Sequence, residues 1–485
     1  MYNRRSLILA LLLLSCVFVA SAFINLTDPT EARYATIGRD MAMSGNYITP
    51  MIWSSGQHIP YLGKPPLHFW MIAASVKIFG ENEFAVRFPS FLSAFFLLIL
   101  MYKILKRYLD PEIVGMSVCI LAASPFFFFY SGIVIVDMTL TLCVGAAVCC
   151  QIAVMNENVR RRRLAWSLAV FTALAFGMLV KGPIAVVIFG FPVILWSLWN
   201  KSSLAFRNHA WIPGLLLFTG ICLPWFLMAE MHNPGFLKYF FINENLLRYI
   251  SPHYGDLYGN GHEHAYGTAL FYLISGCLPW FIWVGVLSVK KGLGSMVHGL
   301  WNNIFLRFFF LGAIGYVLFM CFARQLIAYY LLPVIPWVAV CLAACLRQLE
   351  IPASKVQKTA ATLVVIYVAV LLIAAPIFNH RNPGKQIFRF AQEHNIAVPL
   401  LFVGKTPFTA YFYGRNFIQI HESTKVDTSV SKRLNGKADY LYVLKDKYVK
   451  RLSSENRNRL SLLGQVGAYQ IYLKKPATMT FSLLK

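Results

Sequence analysis

Long apolar segments recur along the first four fifths of the chain, separated by short polar stretches. A transmembrane helix needs about 20 predominantly apolar residues, and eleven segments approach that length. Because a membrane span must satisfy its backbone polar groups internally, the pattern predicts an all-α polytopic membrane protein. The segments lie near residues 7–24, 84–102, 113–130, 138–155, 164–180, 183–199, 210–228, 268–289, 304–322, 326–346 and 359–378.

One further apolar stretch, residues 66–80, is short and carries His68 and Lys77. If it lies at the membrane interface instead of crossing, the short basic clusters all fall on one face, as the positive-inside rule requires. If it crosses, every later cluster moves to the other face. We therefore predict an interfacial helix, a cytoplasmic N-terminus, an uncleaved first span and an extracytoplasmic C-terminus. The clusters are Arg4 and Arg5, Lys103 to Arg107, Arg160 to Arg163, Lys201 and Arg207, Lys290 and Lys291, and Arg347 to Lys358.

Residues 380–485 have a different pattern, with more charge and shorter apolar stretches. The stretches LLFVG, ADYLYVLKDKYV and AYQIYLKK are typical of strands, and a helical pattern occurs near 386–395. We predict a small extracytoplasmic α/β domain at 380–485 that follows a transmembrane domain at 1–379. Its basic character favours a position against an anionic membrane surface. A solvated tail is the alternative.

The composition supports the membrane class. The chain is 58% hydrophobic and only 13% charged, whereas soluble domains carry about a quarter charged residues. The net charge of +24 would suggest nucleic acid in a soluble protein. Here basic residues set topology and meet lipid headgroups, so we expect no nucleic-acid partner. All ten cysteines lie in apolar segments, which indicates packing residues and neither disulfides nor a metal site.

The predicted topology gathers the candidate chemistry on the extracytoplasmic side. The polar loop 25–68 lies there, together with the loop 229–267. Charged residues held against a bilayer are costly and usually functional. Asp137 and Lys181 lie at span ends on the same side. The alternatives to a functional role are a helix cap for Asp137 and a snorkelling side chain for Lys181. The sequence HEH at 262–264 lacks the HExxH spacing and is a weak metal signal.

These segments resemble membrane-embedded GT-C glycosyltransferases that use polyprenyl-phosphate sugars, a family that includes the aminoarabinose lipid A transferases and the protein O-mannosyltransferases. The similar segments appear in family order and cover most of residues 25–336. They are TEARYATIGRDMAMSGNYITP, YLGKPPLHFW, FGENEFAVRFPS, the span end at Asp137, MLVKGPIAV, LPWFLMAE, KYFFINENLLRY, CLPW and ARQLIAYYLLPVIP.

The resemblance implies roles for specific residues. Thr30 occupies the position of the family's first-loop carboxylate, so the neighbouring Glu31 is the first candidate and Asp28 the second. Gly63 precedes Lys64 where lipid A transferases can place a zinc-binding Glu, so we expect no metal at His262 and no cofactor. The implied catalytic residues are Glu31, Asp28 and Asp137; the donor-phosphate ligands are Lys64, Arg248, Lys181 and Arg324; the substrate-binding residues are Arg33, Tyr34, Glu244, His262 and Tyr329.

The implied reaction is an inverting transfer of a sugar from a polyprenyl-phosphate donor to an extracytoplasmic acceptor, such as lipid A or another envelope glycolipid. The implied location is a bacterial inner membrane. Transfer to protein or glycan acceptors is an alternative. A lipid-linked sugar transporter is another, but it would place polar residues near mid-membrane or in repeats. The sequence has no G-x-x-x-x-G-K-[ST] loop for a nucleotide.

Overall fold

The computed structural model describes residues 2–54, 57–251, 255–260, 262–291, 299–396, 398–404, 406–414, 418–421, 426–436 and 438–475. Most of them are helical. The helices that precede the second long loop are α1 (Tyr2–Ser21), α2 (Thr30–Ser44), α3 (Leu67–Phe79), α4 (Glu83–Leu105), α5 (Pro111–Ala122), α6 (Pro125–Ser131), α7 (Val136–Asn156), α8 (Arg160–Lys181), α9 (Ile184–Trp199), α10 (Leu204–Arg207) and α11 (Trp211–His232).

The second long loop contains short helical pieces and a small hairpin. Its elements are α12 (Phe236–Lys238), a π-helix (Tyr239–Leu247), α13 (Arg248–Ile250) and the strands β3 (Gly255–Asp256) and β4 (Gly259–Asn260). The remaining helices of the bundle are α14 (Thr268–Gly276), α15 (Leu278–Lys291), α16 (Ile304–Cys321), a 3₁₀ segment (Ala328–Val334), α17 (Ile335–Gln348) and α18 (Ala353–Arg381).

Eight of the described helical segments are long and apolar enough to cross a membrane, and two further pairs reach that length only together. The pairs α5–α6 and α14–α15 are bent by 60° and 90°. A proline near the start of the second helix explains each bend, since Pro125 and Pro279 lack the N–H that would continue the preceding helix. The segment predicted at 183–199 is the short helix α9, and the segment predicted at the interface is the 13-residue helix α3. The count of eleven crossings stays a prediction.

Helix α7 lies at the centre of the bundle. Its apolar window is 89% buried, whereas that of α18 is 11% buried. The neighbouring helix α8 runs back along α7 and makes extensive contact with it. The start of α7 and the end of α8 therefore lie side by side at one end of the bundle, next to the first polar loop.

The first polar loop is folded against the bundle. It contains α2 and a hairpin of β1 (Met51–Ser54) and β2 (Gln57–Pro60), followed by α3. Helices α2 and α3 approach very closely at Gly38, where a Cβ atom would lie 2.4 Å from Ile72. Any larger residue at Gly38 would push the two helices apart, so this glycine fixes how the loop packs.

The residues after α18 form a small mixed sheet of five strands, in the order β6 (Ile418–His421), β5 (Leu400–Val403), β7 (Leu441–Lys445), β9 (Tyr469–Lys474) and β8 (Leu460–Val466). Strand β5 pairs in parallel with β6 and β7, and β9 is antiparallel to both its neighbours. The accompanying helices are α19 (Gly384–Glu393), α20 (Phe408–Gly414), α21 (Val426–Leu434), α22 (Asp446–Val449) and α23 (Ser454–Asn458).

Candidate active site

An open cavity of about 660 Å³ lies where α7 begins and where α8 and α16 end, beside the second long loop. We call it the charged cavity. Its polar lining comes from segments far apart in the sequence, which the fold brings together. The residues that matter below are Lys64, Lys181, Glu244, Arg248, Gln325 and Tyr330.

Glu244 stands between two cations in the charged cavity. Its Oε1 accepts hydrogen bonds from Lys64 Nζ and Arg248 Nη1, each at 2.6 Å. Its Oε2 is buried and has no hydrogen-bond partner among the described residues. This carboxylate therefore anchors two cations with one oxygen and retains the other as an acceptor toward a ligand.

The π-helix at Tyr239–Leu247 positions Glu244 and Arg248. π-Helical segments are rare and are frequent at functional sites. Its Phe240 packs against Gly182, which has a φ of +84°, and a Cβ atom there would lie 2.5 Å from the Phe240 ring. Gly182 directly follows Lys181, so this contact holds the second loop against the end of α8.

Burial and ion pairing oppose each other in this group. Burial would raise the pKa of Glu244, but the charges of Lys64 and Arg248 outweigh burial and hold that pKa below its ordinary value. Burial would lower the pKa of Lys64, but Glu244 outweighs burial and raises it. Both residues are therefore charged at neutral pH.

A second ion pair joins Asp137 on α7 to Lys181 on α8. Asp137 lies in the first turn of its helix and Lys181 in the last turn of its own, where the helix dipoles favour these charges. The N-cap of α7 is Ile135, so the capping alternative for Asp137 is wrong. The Lys181 amine also lies 3.8 Å from the centre of the Tyr330 ring. Lys181 lines the cavity, and the buried Asp137 lies behind it.

Arg33, Tyr34 and Tyr329 form a neighbouring aromatic group. The Arg33 guanidinium lies over the rings of Tyr34 and Tyr61, at 5.3 and 5.7 Å. Arg33 Nε is buried and has no hydrogen-bond partner in the part of the chain that the structure describes. Tyr329 packs edge-on against Tyr130, at 5.7 Å. This group adds one more cation beside the charged cavity without lining it.

Arg324 and His262 lie on a short paired stretch near the cavity. The Leu326 N–H donates to the His262 carbonyl, and Glu263 forms a bridge with Gln325. The Arg324 guanidinium lies 4.6 Å from the Tyr266 ring, and the residue does not line the charged cavity. Burial and the charge of Arg248 lower the pKa of His262. Among the described residues, no group of three His, Cys, Asp or Glu side chains could hold a metal ion.

Glu31 is enclosed in a buried network away from the charged cavity. Its Oε1 accepts from Arg87 Nε at 2.7 Å and from the Val134 N–H. Its Oε2 accepts from both the N–H and the hydroxyl of Thr27. Arg87 in turn donates to the carbonyl of Ser21 at the end of α1. Glu31 therefore ties the start of α2 to three other parts of the bundle.

Asp28 faces the C-terminal sheet region. Its two carboxylate oxygens accept from the hydroxyl of Thr409 at 2.6 Å and from the Thr409 N–H at 3.1 Å. Burial raises the pKa of Asp28 despite these bonds. The structure thus brings Lys64, Lys181, Glu244 and Arg248 together, with Asp137 behind Lys181. It does not bring Glu31 or Asp28 into the cavity.

Sequence reasoning did not single out Tyr330 or Arg87. Tyr330 neighbours Tyr329 in a segment already identified as similar to the family, and only the fold shows which ring faces Lys181. Arg87 had a readable signal, because it is a lone arginine inside an apolar segment and such a residue needs a partner. Its partner is Glu31.

Comparison with known proteins identifies a matching family and several similar proteins. Residues 63–227 match the family described as dolichyl-phosphate-mannose-protein mannosyltransferase. The undecaprenyl phosphate-alpha-4-amino-4-deoxy-L-arabinose arabinosyl transferase of Photorhabdus laumondii is 27% identical over 289 residues, which cover 58% of this chain and 50% of the relative. The corresponding transferase of Pseudomonas savastanoi is 30% identical over 268 residues, which cover 54% and 47%. The chain spans about half the length of the curated relatives that it matches.

Solved structures extend the similarity to the fold of the whole chain. The crystal structure of ArnT from Cupriavidus metallidurans bound to undecaprenyl phosphate matches with a TM-score of 0.80 at 18% identity, over 97% of this chain and 98% of ArnT. An oligosaccharyltransferase from Archaeoglobus fulgidus tethered to an acceptor peptide matches with a TM-score of 0.53 at 10% identity, over 98% and 74%. The resemblance to GT-C glycosyltransferases related to the aminoarabinose transferases is therefore confirmed, in fold for the whole chain and in sequence for residues 63–227.

Proposed function

We propose that this protein is a membrane glycosyltransferase that moves a sugar from a polyprenyl-phosphate donor to an extracytoplasmic acceptor, with lipid A or another envelope glycolipid as the preferred acceptor. The observation that carries the proposal is the charged cavity, in which Lys64, Arg248 and Lys181 face one space at the end of the bundle. The cations there outnumber the carboxylates, as an anionic ligand requires. The names of the related arabinosyl transferases and of the undecaprenyl phosphate complex support the same donor class.

In the proposed reaction, an acceptor oxygen attacks the anomeric carbon of the sugar while the bond from that carbon to the phosphate oxygen breaks. Negative charge grows on the leaving polyprenyl phosphate. Lys64 and Arg248 stabilise that charge, and Lys181, which also lines the cavity, adds to this stabilisation. Removing one such preorganised donor commonly costs about 10² to 10³ in rate. Because the donor carries its own leaving phosphate, the proposed reaction needs no nucleotide.

The carboxylates have different roles in this proposal. Glu244 lines the cavity, and its free Oε2 accepts a hydrogen bond from the acceptor hydroxyl or from the sugar. When the acceptor is a hydroxyl, Glu244 is the base closest to the cations; when it is a phosphate, Glu244 orients the substrate. Asp137 is a positioning residue that acts through the Lys181 amine.

The prenyl chain has a candidate path along α16. This helix presents Tyr316 and Phe319 to the charged cavity, and Ala313 and Val317 to an apolar cavity of about 1140 Å³. The lining of the apolar cavity is almost wholly hydrocarbon, and its other walls are α14, α15 and α17. We propose that the phosphate binds in the charged cavity and that the first isoprene units lie along α16.

The proposed orientation places the charged cavity outside a bacterial inner membrane. It combines eleven spans with a cytoplasmic N-terminus and an extracytoplasmic α/β domain at 380–485. The basic clusters support this orientation through the positive-inside rule. A single cysteine introduced at Ser44 and another at Ser454 should react with a membrane-impermeant maleimide from the same side, in a background without native cysteines. Labelling from opposite sides would overturn the orientation.

The activity is tested by supplying the purified protein with a radiolabelled polyprenyl-phosphate sugar and candidate acceptors. Mass spectrometry of lipids and glycans from cells with and without the protein identifies the sugar and acceptor to be used. We expect transfer that Lys64→Ala lowers by about 10² to 10³ and Lys77→Ala retains, since Lys77 is an exposed lysine of α3 outside the cavity. Transfer that is unaffected by Lys64→Ala would overturn the proposed site, and labelled peptide in place of lipid would overturn the acceptor class.

A further inference from the structure

A second apolar groove of about 930 Å³ lies at the other end of the bundle, between α8, α9 and α11. Helix α7 runs from Asp137 beside the charged cavity to Gln151 at the groove, which is 14 residues or about 21 Å at the rise of an α-helix. Helix α8 covers the same span from Lys181 to Ser167. The polar end of the groove, at Gln151 and Ser167, is therefore separated from the charged cavity by most of the hydrocarbon core, whereas the apolar lining of the groove continues along α9 as far as Val186.

The groove is lined by hydrocarbon and opens sideways to the membrane. Its walls include Val170, Leu174, Phe189, Val193 and Phe218. Val186 and Ile194, at its edge, are 42% and 49% exposed, which is lipid exposure for residues of a membrane helix. An acyl chain fits this lining, because the groove offers almost no polar surface.

A closed polar network holds one end of the groove in shape. His209 shares hydrogen bonds with Gln151 at 2.7 Å and with Ser167 at 3.1 Å. Gln151 also donates to the Ala205 carbonyl, and Ser167 accepts from the Ala210 N–H. Burial lowers the pKa of His209 to about 4, which matches a neutral imidazole in this network. The loop that carries α10 is therefore fixed over the groove end.

Unpaired basic residues lie at the same end. Arg163 precedes Ser167, Val170 and Leu174 on one face of α8, at the spacing of successive helical turns. Arg207 directly follows Phe206, which lines the groove. Within the described ranges, neither arginine has an ion pair or a side-chain hydrogen bond. Basic pockets between helices on the cytoplasmic side are sites for anionic lipid headgroups.

We propose that this groove binds one anionic phospholipid, whose acyl chain lies between α8, α9 and α11 and whose phosphate is bound by Arg163 and Arg207. The occupant follows from the two halves of the site, since hydrocarbon lines the groove and unpaired cations stand at its polar end. The proposal does not depend on the sugar-transfer activity.

Native mass spectrometry of the purified full-length protein tests this site. The protein is mixed with phosphatidylglycerol or phosphatidylcholine of the same acyl chains, and the lipid retained after detergent removal is counted. We expect one phosphatidylglycerol to be retained several-fold more than phosphatidylcholine. The double variant Arg163→Ala/Arg207→Ala should reduce that ratio to about one, and Arg163→Lys/Arg207→Lys should restore most of it. The matched control is Lys103→Ala/Arg107→Ala, which removes two basic residues of another cluster.

The groove itself is tested by filling it. Gly190 lines the groove and has space for a side chain, so Gly190→Phe should lower retention of both lipids at least fivefold. Gly220→Phe is the control, because Gly220 faces open space on α11 outside the groove. Equal retention of the two lipids by the wild-type protein would overturn the proposal, and so would equal effects of the arginine variant and its control. These comparisons remain decisive if Gly190→Phe fails to fold.

Discussion

Two carboxylates in the first loop and two at the charged cavity are all held beside polar partners, yet their surroundings differ. Glu31 accepts hydrogen bonds on both oxygens, from Arg87, from Thr27 and from a backbone N–H. Glu244 accepts from two cations on one oxygen, and its other oxygen has no partner among the described residues. The first arrangement is complete without a ligand, and the second is not.

The comparison gives a structural criterion for choosing among the candidate carboxylates of this protein. Proximity to a motif is not that criterion, since Glu31 lies in a segment that resembles the family and is nevertheless enclosed. The criterion is a carboxylate oxygen that faces a cavity and has no hydrogen-bond partner, because a buried acceptor without a partner is costly unless a ligand uses it. By this criterion Glu244 is the candidate that contacts substrate, and Glu31 holds the loop in place.

The largest expected effect is on stability, from Glu31→Ala. The change leaves Arg87 buried without its carboxylate, and breaking such a pair costs about 3–5 kcal/mol. We expect a large drop in the unfolding temperature and in the folded yield, with transfer per folded molecule unchanged. Glu83→Ala is the control, because Glu83 pairs with the exposed Lys385. A Glu31→Ala protein that folds normally and loses transfer would make Glu31 catalytic, as the sequence analysis expected.

Removal of Lys64 should have the largest effect on activity. Lys64→Ala deletes a cation that faces the leaving phosphate, so kcat should fall by about 10² to 10³, or roughly 2.7–4 kcal/mol. The measurement is steady-state transfer over a range of donor concentrations up to saturation, which gives kcat and the KM for the donor. Lys385→Ala, which removes a lysine outside the cavity, should leave kcat unchanged. A fall in donor affinity with kcat retained would show that Lys64 binds the ground state and the transition state equally and does not act on the chemical step.

Asp137→Asn should have a smaller effect, because Asp137 acts through Lys181. We expect transfer to fall about tenfold, equivalent to about 1.4 kcal/mol. Lys181→Met should cost at least as much, and the double variant should be no worse than Lys181→Met alone. Additive losses in this double-mutant cycle, measured as kcat/KM for transfer, would show that Asp137 has a separate role.

The membrane architecture was largely predictable from the sequence. Apolar runs are a local signal, and the charge rule identified the short helix α3 as distinct from the longer segments. The bends in α5–α6 and α14–α15 were not predicted, although Pro125 and Pro279 mark both. Lys64, Lys181, Glu244 and Arg248 were identified as site residues because they stand at positions that the family resemblance implies.

The partners of those residues could not be predicted, because pairing depends on distant parts of the chain. Lys64 and Glu244 are 180 residues apart, and Asp28 and Thr409 are 381 apart. The π-helix that positions Glu244 has no apolar periodicity of its own from which the sequence could predict it. The roles of Glu31 and Asp28 were assigned from their place beside a family motif, which contains no information about Arg87 or Thr409.

Asp28→Asn should change little and so sharpen the contrast with Glu244. An amide can still accept from the Thr409 N–H, and the Thr409 hydroxyl can accept from the amide nitrogen. Because burial raises the pKa of Asp28, the neutral side chain also avoids the cost of a buried charge. We expect transfer within twofold of wild type and an unchanged or slightly higher unfolding temperature. Loss of transfer from a stable Asp28→Asn protein would return Asp28 to the list of catalytic acids.

The smallest expected effect is a pH dependence that the ion pair of Lys64 and Glu244 suppresses. The pKa of Glu244 lies below its ordinary value of 4.5, so its stabilisation is lost only as pH falls through that lowered pKa. The pKa of Lys64 lies above 10.5, so its stabilisation is lost only as pH rises through that raised pKa. Between pH 4.5 and 10.5 this pair should add no titration to the transfer rate.

Glu244→Gln removes the charge that raises the Lys64 pKa and leaves the burial that lowers it. The variant should transfer more slowly at every pH, because it lacks the proposed base or orienting group. Its remaining rate should also show a basic limb, in which transfer falls as pH rises within the range where the wild-type rate is flat. Profiles of kcat/KM for the two proteins, measured side by side, decide the point. Identical basic limbs would show that Glu244 does not control the charge of Lys64.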